Sequence, residues 1–304
     1  MMLKVIYMEK LRILMAQLFI VLFGRLTRLI NDEHFNRILF FLRTGKKADL
    51  KTPKTFNENI LARKVFNDEY ALSVYTDKYE VRKYVEEKIG AEYIVPAFGV
   101  WNTLDEMDFS SLPQSFVLKA THGSGWNVVI KNKIEFDKKS DCKKLRKSLS
   151  VNYYHKSREK NYKNIKPRIL CEKYIEADNE KGLIDFKTYC FFGKAEFFEI
   201  TYTKEGKLHQ TLFYPDFTPV GMENGRAEAE LDDTLRALKN KIIKLAETLA
   251  VNFEFVRADF YIADEKVYFS ELTFHSGGGI RPIKPETVDL AMGSFFNRER
   301  ICEK

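Results

Sequence analysis

The feature that most constrains the fold is a pair of β-type segments near the end of the 304-residue chain, at 253–262 and 266–274. Each segment places one carboxylate among aromatic side chains, Asp259 in the first and Glu271 in the second. A carboxylate buried in such surroundings is tolerated only when it is ion-paired or binds a cation. The two segments therefore predict an antiparallel hairpin with a polar site built into it.

The length of the connection decides which side chains share a face of this hairpin. A connection of odd length, such as 263–265, places Arg257 opposite Glu271. Asp259, Glu271 and Thr273 then lie on one face. A connection of even length breaks this shared face unless a β-bulge intervenes.

Two interpretations of this face stay open. Three oxygen donors on one rigid face suit Mg²⁺, which takes a few protein oxygens and completes its shell with phosphate and water. The other interpretation is a structural ion pair between Arg257 and Glu271, and the residues favour neither.

A second group of residues lies at 116–125. Lys119 ends the apolar run FVLK, and a turn with the sequence HGSG follows it. Glycine lets backbone N–H groups approach phosphate oxygens, and a strand-end lysine supplies positive charge, so the arrangement could hold a triphosphate. It differs from the P-loop, which leads into a helix. Taken alone, an ordinary hairpin turn with a solvated lysine is the commoner interpretation.

Composition narrows the classes of protein without choosing one. The formal net charge of +7 suits anionic partners, and the basic residues concentrate at 1–50 and 137–168. The four cysteines are scattered and the five histidines form no ligand pair, so zinc and redox motifs are not expected. Reduced thiols indicate a cytosolic protein.

The apolar stretch at 13–23 is too short to cross a membrane as a helix. Lysines and arginines flank it at Lys10, Arg12, Arg25 and Arg28. A signal peptide, an interfacial helix and a helix packed on the body are all compatible with this pattern. The packed helix is favoured.

The remaining pattern mixes helices with short strands. Thr55 or Asn57 could cap a helix, and Asn31 begins a break between two others. Helical stretches are predicted at 11–42, 77–89, 138–154 and 231–249, and strands at 93–95, 98–101, 116–119, 128–131, 169–172, 186–192 and 196–202. This order predicts α+β lobes that flank a cleft.

Six motifs follow one another along the chain: Asp77-Lys78, Val117-Leu118-Lys119, the HGSG turn, Glu172-Lys173-Tyr174-Ile175, Arg257-x-Asp259 and Glu271-x-Thr273. Their order resembles that of the ATP-grasp superfamily, and of D-alanine:D-alanine ligase-like members in particular. The segments KTPKTFNENI, TDKYEVRKYV, FVLKATHGSG and VRADFYIADEKVYFSELTF look more closely like the TupA-like ATP-grasp proteins of bacterial polysaccharide (capsule or teichuronopeptide) biosynthesis. That resemblance covers residues 50–294.

The resemblance implies an ATP-grasp fold, in which two α+β lobes sandwich ATP, with a helical N-terminal extension. It divides the chain into a basic helical segment (1–49), a pre-ATP-grasp region with a linker (50–115), a small lobe (116–176) and a large lobe with the metal site (177–304).

The resemblance also implies roles for individual residues. Lys78, Lys119 and the HGSG turn would contact the phosphates of ATP. Glu172 and the backbone that follows it would contact adenine, and Asp185 would contact the ribose. The ATP-binding set is Lys78, Lys119, His122, Gly123, Ser124, Gly125, Glu172, Lys173, Tyr174, Ile175 and Asp185. Asp259, Glu271 and Thr273 are expected to bind two Mg²⁺ ions. The expected catalytic residues are Arg257, Lys119 and Lys187. The acceptor pocket is expected at His275, Ser276, Gly277, Gly278 and Arg281.

Two departures from the superfamily pattern concern this site. Thr273 stands where asparagine is usual, and the segment LFYPDFTP lacks the phosphate-binding lysine of some ligases. A threonine hydroxyl is still an oxygen ligand, and Lys187 on the adjacent strand could replace the missing charge.

The expected function is that of an ATP-dependent carboxylate–amine ligase that forms an amide through an acyl phosphate. The resemblance suggests a uronic acid or amino acid of a bacterial surface polysaccharide as substrate. Two alternatives stay open: an ATP-dependent sugar kinase or glycosyltransferase-associated enzyme, and a non-enzymatic basic protein that docks on a membrane. The expected partners are ATP, a carboxylate and an amine, without nucleic acid. The expected location is the cytoplasm, with 1–49 as the segment that could touch the inner face of the membrane.

Overall fold

The computed structural model describes residues 11–20 and 26–297. Residues 11–20 form helix α1, and the rest of the apolar stretch, residues 21–23, lies outside the described residues. The predicted break is confirmed at Asn31, whose side chain accepts the backbone N–H of His34 at 2.9 Å and so caps helix α2 (Asp32–Thr44). Over these two ranges, no helix combines the length and the apolar character needed to cross a membrane.

Most of the other helices are short. They are α3 (Phe56–Phe66), α4 (Ser73–Thr76), α5 (Val81–Ile89), α6 (Lys138–Asp141), α7 (Lys143–Leu149), α8 (Tyr154–Ser157), α9 (Asp233–Ala250) and α10 (Glu286–Ser294). Single 3₁₀ turns occupy Leu26–Leu29, Tyr70–Leu72, Ala91–Tyr93, Phe109–Ser111, Lys133–Glu135, Lys160–Tyr162, Ser276–Gly279 and Phe295–Asn297. The basic helix predicted at 138–154 is thus three short helices rather than one.

Thr55 and Asn57, two polar residues at the start of α3, have different partners. Thr55 is the N-cap and forms a capping box with Glu58. Asn57 instead faces another part of the chain, where its Nδ2 donates to the carbonyl of Arg281 and to a carboxylate oxygen of Asp289, each at 3.0 Å. These contacts fix α3 against α10 and against the loop that precedes α10.

The first sheet has four antiparallel strands in the order β1-β4-β2-β3. They are β1 (Ala97–Trp101), β2 (Phe116–Ala120), β3 (Asn127–Ile130) and β4 (Ile169–Lys173). Leu145 of α7 packs into its core with Phe116 and Leu118. Strand β1 lies in the region predicted as pre-ATP-grasp region and linker, so this sheet begins before residue 116.

The second sheet has five antiparallel strands in the order β7-β6-β5-β8-β9. They are β5 (Ile184–Phe191), β6 (Lys194–Lys204), β7 (Lys207–Phe213), β8 (Phe255–Ala263) and β9 (Lys266–Thr273). Strand β7 is not among the strands predicted from the sequence.

The second sheet buries one face under helix α9. Leu235, Ile242 and Leu249 recur along that helix at helical spacing and pack with Phe186 and Phe260 of the sheet. The burial of this face leaves the opposite face for α3, α10 and the polar side chains that look toward the first sheet.

The β8–β9 hairpin differs from its predicted register. The connection has two residues, Asp264 and Glu265, both at positive φ (47° and 66°), so its length is even. Ser270 is an extra residue on β9, because Asp259 pairs with Glu271 while Phe260 pairs with Phe269. The bulge restores the shared face that an even connection would have broken.

The predicted pairing of Arg257 with Glu271 across this hairpin is accordingly wrong. Arg257 stands opposite Thr273, and Asp259 stands opposite Glu271. The bulge shifts the register by one residue between the turn and the polar face, which the assumption of an odd connection did not include.

Candidate active site

The polar site is built on cross-strand rows of the second sheet. In one row Glu271 of β9 lies opposite Asp259 of β8, Asp259 lies opposite Lys187 of β5, and Lys187 lies opposite Glu199 of β6. Cross-strand partners point to the same face of a sheet. Four ionisable side chains from four strands are therefore brought onto one face.

Arg257 organises the residues beside this row. Its Nε and Nη2 donate to the two carboxylate oxygens of Asp259 at 2.7 and 2.5 Å. Its Nη2 also donates to Thr273 Oγ1 at 3.2 Å, and its Nη1 donates to Ser276 Oγ at 3.1 Å. The Thr273 hydroxyl donates to Glu271 Oε1 at 2.9 Å. The three predicted metal-binding residues thus share one hydrogen-bond network with the predicted catalytic arginine.

Burial and charge act against each other in this network. Burial raises the pKa of Asp259 to about 7, although the Arg257 guanidinium opposes the rise. For Glu271, burial is outweighed by Lys78 and Arg257, and the pKa of its carboxyl lies below the ordinary value. The pKa of Arg257 is raised by Asp259 despite burial. A further cation beside Asp259 would therefore favour its ionised form.

The first cation that faces these carboxylates is Lys78, in the segment between α4 and α5. Its Nζ donates to the carbonyl oxygen of Gly123 at 2.7 Å and lies 4.0 Å from Glu271 Oε2. Burial lowers the pKa of Lys78, although Glu271 opposes this. Lys78 thus bridges the glycine turn and Glu271, one of the predicted metal-binding residues.

The second cation is Lys119, at the end of β2. Its Nζ lies 2.6 Å from Glu172 Oε2 and 5.6 Å from the centre of the Tyr261 ring. Arg82 Nη1 donates to the other oxygen, Glu172 Oε1, at 2.9 Å. Burial would lower the pKa of Lys119, but Glu172 and Tyr261 hold it above its ordinary value. Glu172, expected to accept from adenine, thus already has a cation beside each of its carboxylate oxygens.

The glycine turn is shaped by close packing. A Cβ on Gly123 would lie 2.4 Å from the Trp126 ring, so no larger residue fits there without movement. Gly125 has a φ of 69°, which favours glycine, and Ser124 is exposed. His122 points away from the turn, with its Nε2 3.0 Å from the carbonyl oxygen of Ser148. The ring of His122 therefore supports the turn from within the lobe, and its predicted ATP contact stays a prediction.

The segment that begins at Lys173, the last residue of β4, leads along the chain from the first sheet to the second. Lys173 donates its backbone N–H to the carbonyl of Pro96 at 2.8 Å while its side chain is exposed. Tyr174 lies with its ring 6.0 Å from Lys131 Nζ. Ile175 is half-buried. The adenine role predicted for these three residues stays a prediction.

Lys187 and Asp185 extend the polar face along β5. Lys187 Nζ lies 3.2 Å from Glu199 Oε1, 3.4 Å from Thr201 Oγ1 and 3.5 Å from Asp185 Oδ2. Burial would lower the pKa of Lys187, but Asp185 and Glu199 raise it. Burial raises the pKa of Asp185. Lys187 therefore remains a cation next to the predicted metal site.

The predicted acceptor residues divide into two groups. Ser276, Gly277 and Arg281 line a cavity beside Arg257 together with Glu199, and Arg281 Nη2 donates to Gln210 Oε1 at 3.3 Å. The first group thus lies where an acceptor could enter.

The second group is His275, which is buried, and Gly278, which is half-buried in the loop between β9 and α10. The side chain of His275 is fully buried, with Nε2 2.6 Å from Glu69 Oε2 and Nδ1 3.6 Å from Glu159 Oε2. Lys64 Nζ donates to the carbonyl of Gly278 at 2.8 Å. Burial would lower the pKa of His275, but Glu69 and Glu159 raise it. His275 therefore supports the loop rather than lining the cavity.

Several of these residues were not identified from the sequence. They are Lys64, Glu69, Arg82, Glu159 and Glu199. For Glu199 a signal was present, because it is a carboxylate inside the aromatic strand-like run EFFEITY, the same feature that identified Asp259. The others come from separate segments and carry no local pattern.

The donor set fits Mg²⁺. Asp259, Glu271 and Thr273 supply hard oxygen donors on one face, and each carboxylate oxygen bound to Arg257 keeps a lone pair. In the part of the chain that the structure describes, no group of three or more His, Cys, Asp or Glu could hold a metal ion. A cation at this site would thus depend on two carboxylates and one hydroxyl, with phosphate and water completing its shell.

Two α+β lobes, one with a lysine and a glycine turn and the other with a carboxylate face, define the class: an ATP-grasp protein. A family model described as TupA-like ATPgrasp matches residues 58–297, and the chain belongs to this family. The predicted α+β ATP-grasp fold is confirmed. No curated protein matched the chain.

Solved structures give more distant likenesses. A D-alanine–D-alanine ligase from Helicobacter pylori has 14% identity and a TM-score of 0.40, with 73% of this chain and 60% of that chain covered. One from Bacillus anthracis, complexed with ATP, has 14% identity and a TM-score of 0.43 (77% and 69%). An L-amino acid ligase from Bacillus licheniformis has 18% identity and a TM-score of 0.44 (74% and 50%). The chain thus spans 60% of the Helicobacter pylori ligase.

Proposed function

We propose that the protein is an ATP-dependent carboxylate–amine ligase that forms an amide through an acyl phosphate. The observation that carries the proposal is the meeting of Lys119 and the glycine turn, from the lobe of the first sheet, with Lys78, Asp259 and Glu271, which lie with the second sheet. Lys78 Nζ lies 4.0 Å from Glu271 Oε2, so the cations and the carboxylates face one space. Cations and Mg²⁺ ligands on opposite sides of one space suit the transfer of a phosphoryl group.

The lysines and the glycine turn would bind the phosphates of ATP. Lys78 is already held at the turn by the Gly123 carbonyl, and Lys119 is held by Glu172, so both ammonium groups are positioned before ATP arrives. Lys187, on the adjacent strand, supplies a third cation where the segment 212–219 offers no lysine. When bound, Mg²⁺ would neutralise phosphate charge, and Asp259, Glu271 and Thr273 would hold it, as two ions if the family pattern applies.

Arg257 would serve the step in which the amine attacks. Its guanidinium is oriented by Asp259 and Ser276, and Ser276 lines the acceptor cavity. A fixed cation at the edge of that cavity can stabilise the oxyanion that develops on the acyl carbon. Asp185 would bind the ribose, and residues 172–175 the adenine. The resemblance suggests a uronic acid or an amino acid of a bacterial surface polysaccharide as the carboxylate, in the cytoplasm.

The test combines ATP binding with product analysis. The full chain is incubated with ATP and Mg²⁺ and a panel of uronic acids and amino acids, and ADP and amide are measured, the amide by mass. Glu271→Gln is expected to lower turnover about 100-fold or more, because it removes one of two charged metal ligands. Glu265→Gln is the matched control, since Glu265 is an exposed glutamate in the turn of the same hairpin. The control should retain turnover.

Three results would contradict the proposal. ATP binding could be absent, or Glu271→Gln could turn over as fast as Glu265→Gln. The accumulation of a sugar phosphate without any need for an amine would identify a kinase instead.

A further inference from the structure

Helix α1 is apolar on two opposite faces. On the inner face Ala16 is buried with Phe35 and Leu39 of α2, and the rings of Phe19 and Phe35 lie 5.6 Å apart. Between residues 11 and 20, Arg12 and Gln17 are the only polar residues. A helix that is apolar all round is normally covered on all sides. The inner face accounts for only part of the apolar surface of α1.

The outer face carries a continuous stripe of large apolar side chains. Leu11, Leu14, Met15 and Leu18 have the spacing i, i+3, i+4, i+7 and therefore lie along one side of the helix. They are 36%, 51%, 45% and 43% exposed. Single exposed leucines are ordinary, but four aligned on one helix indicate an interaction surface. We call these four residues the apolar stripe.

Basic residues lie near the apolar stripe at the end of α2. Arg12 Nη1 donates to the carbonyl of Thr44 at 3.1 Å, which places Arg12 of α1 beside the end of α2. Lys46 and Lys47 follow directly and are exposed, and Lys46 Nζ also lies 2.6 Å from Glu286 Oε1. Positive charge therefore lies close to the apolar stripe.

We propose that the apolar stripe docks the protein on an anionic lipid bilayer. The four apolar side chains would enter the boundary between headgroups and acyl chains, and Lys46 and Lys47 would lie at the lipid phosphates. A second copy of the chain fits this surface less well, because a symmetric interface would bring two sets of the same basic residues together. The proposal is independent of the ligase reaction, since none of these residues belongs to the site.

The experiment uses the full chain and sedimentation with lipid vesicles. One vesicle preparation is phosphatidylcholine alone, and the other contains about 30% phosphatidylglycerol as the anionic lipid. The protein is expected to sediment with the anionic vesicles and to be released by salt. The double variant Leu14→Glu/Leu18→Glu is expected to lose binding, and Lys46→Gln/Lys47→Gln to weaken it roughly 30-fold.

The matched control is the double variant Ile134→Glu/Val251→Glu. These residues are 85% and 60% exposed, and they lie outside α1 and α2. The control should bind anionic vesicles like the wild type, and circular dichroism should show that all variants are folded. ATP turnover without vesicles, measured in parallel, is expected to stay unchanged in the Leu14→Glu/Leu18→Glu variant.

The outcomes separate the possible occupants of the surface. Failure of the wild type to sediment with anionic vesicles would overturn the proposal, as would full retention of binding by Leu14→Glu/Leu18→Glu. Equal binding to both vesicle types would show that the basic residues do not contribute to binding, and would overturn the assignment to an anionic bilayer. A wild-type dimer that becomes a monomer in Leu14→Glu/Leu18→Glu, without vesicle binding, would show that the surface pairs two copies of the chain.

Discussion

The substitution Gly279→Ala tests whether the loop between β9 and α10 is as tightly packed against α3 as its geometry indicates. Gly279 has a φ of +67° and is buried in the loop between β9 and α10. A Cβ there would lie 2.9 Å from Leu61 Cγ and 3.0 Å from the carbonyl oxygen of Asn57. The carbonyl belongs to the first turn of α3 and cannot move aside like a flexible side chain.

The size of the effect follows from two contributions. An alanine at positive φ costs about 1 kcal/mol relative to glycine. Forcing a methyl group against packed neighbours adds roughly 1–3 kcal/mol. Gly206→Ala isolates the first contribution, because Gly206 has a φ of +72° and its Cβ would meet nothing within 4 Å. We therefore expect a loss of about 1 kcal/mol for Gly206→Ala and about 3 kcal/mol for Gly279→Ala.

Urea unfolding followed by tryptophan fluorescence measures both losses. The midpoint should fall further for Gly279→Ala at an unchanged dependence on urea, which would show that the folded state is affected rather than the compactness of the unfolded chain. Turnover should also fall in Gly279→Ala, since Ser276 and Arg281 sit on the same loop. Equal losses in the two variants would refute the reasoning, because the contact with Asn57 would then cost nothing.

Three further predictions concern other parts of the site. Burial lowers the pKa of Lys64 to about 8 from 10.5. The folded protein therefore releases this proton at a lower pH than the unfolded chain does, and the free energy of unfolding rises with pH between these two values. Lys64→Met should remove this rise, which is at most about 3 kcal/mol, in urea titrations at about pH 7.5 and pH 10. Gly123→Ala, whose Cβ would lie 2.4 Å from the Trp126 ring, should displace the turn and raise the KM for ATP. Thr273→Val removes the hydroxyl bound to Glu271 and should raise the Mg²⁺ concentration needed for half-maximal turnover roughly tenfold. An unchanged pH profile, KM or Mg²⁺ requirement would contradict the respective prediction.

The sequence predicted the hairpin and its polar face but not its register. The aromatic runs around Asp259 and Glu271 identify two buried strands, and their separation identifies a hairpin. The turn itself uses Asp264 and Glu265 at positive φ without the glycine that usually marks such turns. Neither this turn nor the bulge at Ser270 leaves a local signal, so the pairing could be found only from the folded chain.

Other differences between the sequence-based prediction and the structure have similar causes. Strand β7 contains Lys207, His209 and Gln210, which weaken its apolar alternation, and it is stabilised by pairing with β6. The helix predicted at 138–154 rested on composition, which does not show where α6, α7 and α8 end. The pairing of His275 with Glu69 and Glu159 joins residues far apart in the chain, and sequence periodicity describes only neighbours.

The threonine at 273, where the superfamily usually has asparagine, is accommodated by the geometry around it. Its hydroxyl donates to Glu271 Oε1 and accepts from Arg257 Nη2, so one lone pair of the oxygen remains for a cation. The same hydroxyl orients both the carboxylate that would bind Mg²⁺ and the arginine that would stabilise the oxyanion. Thr273 therefore connects the predicted metal site with the predicted catalytic cation. Threonine in place of asparagine still offers an oxygen atom to a metal ion.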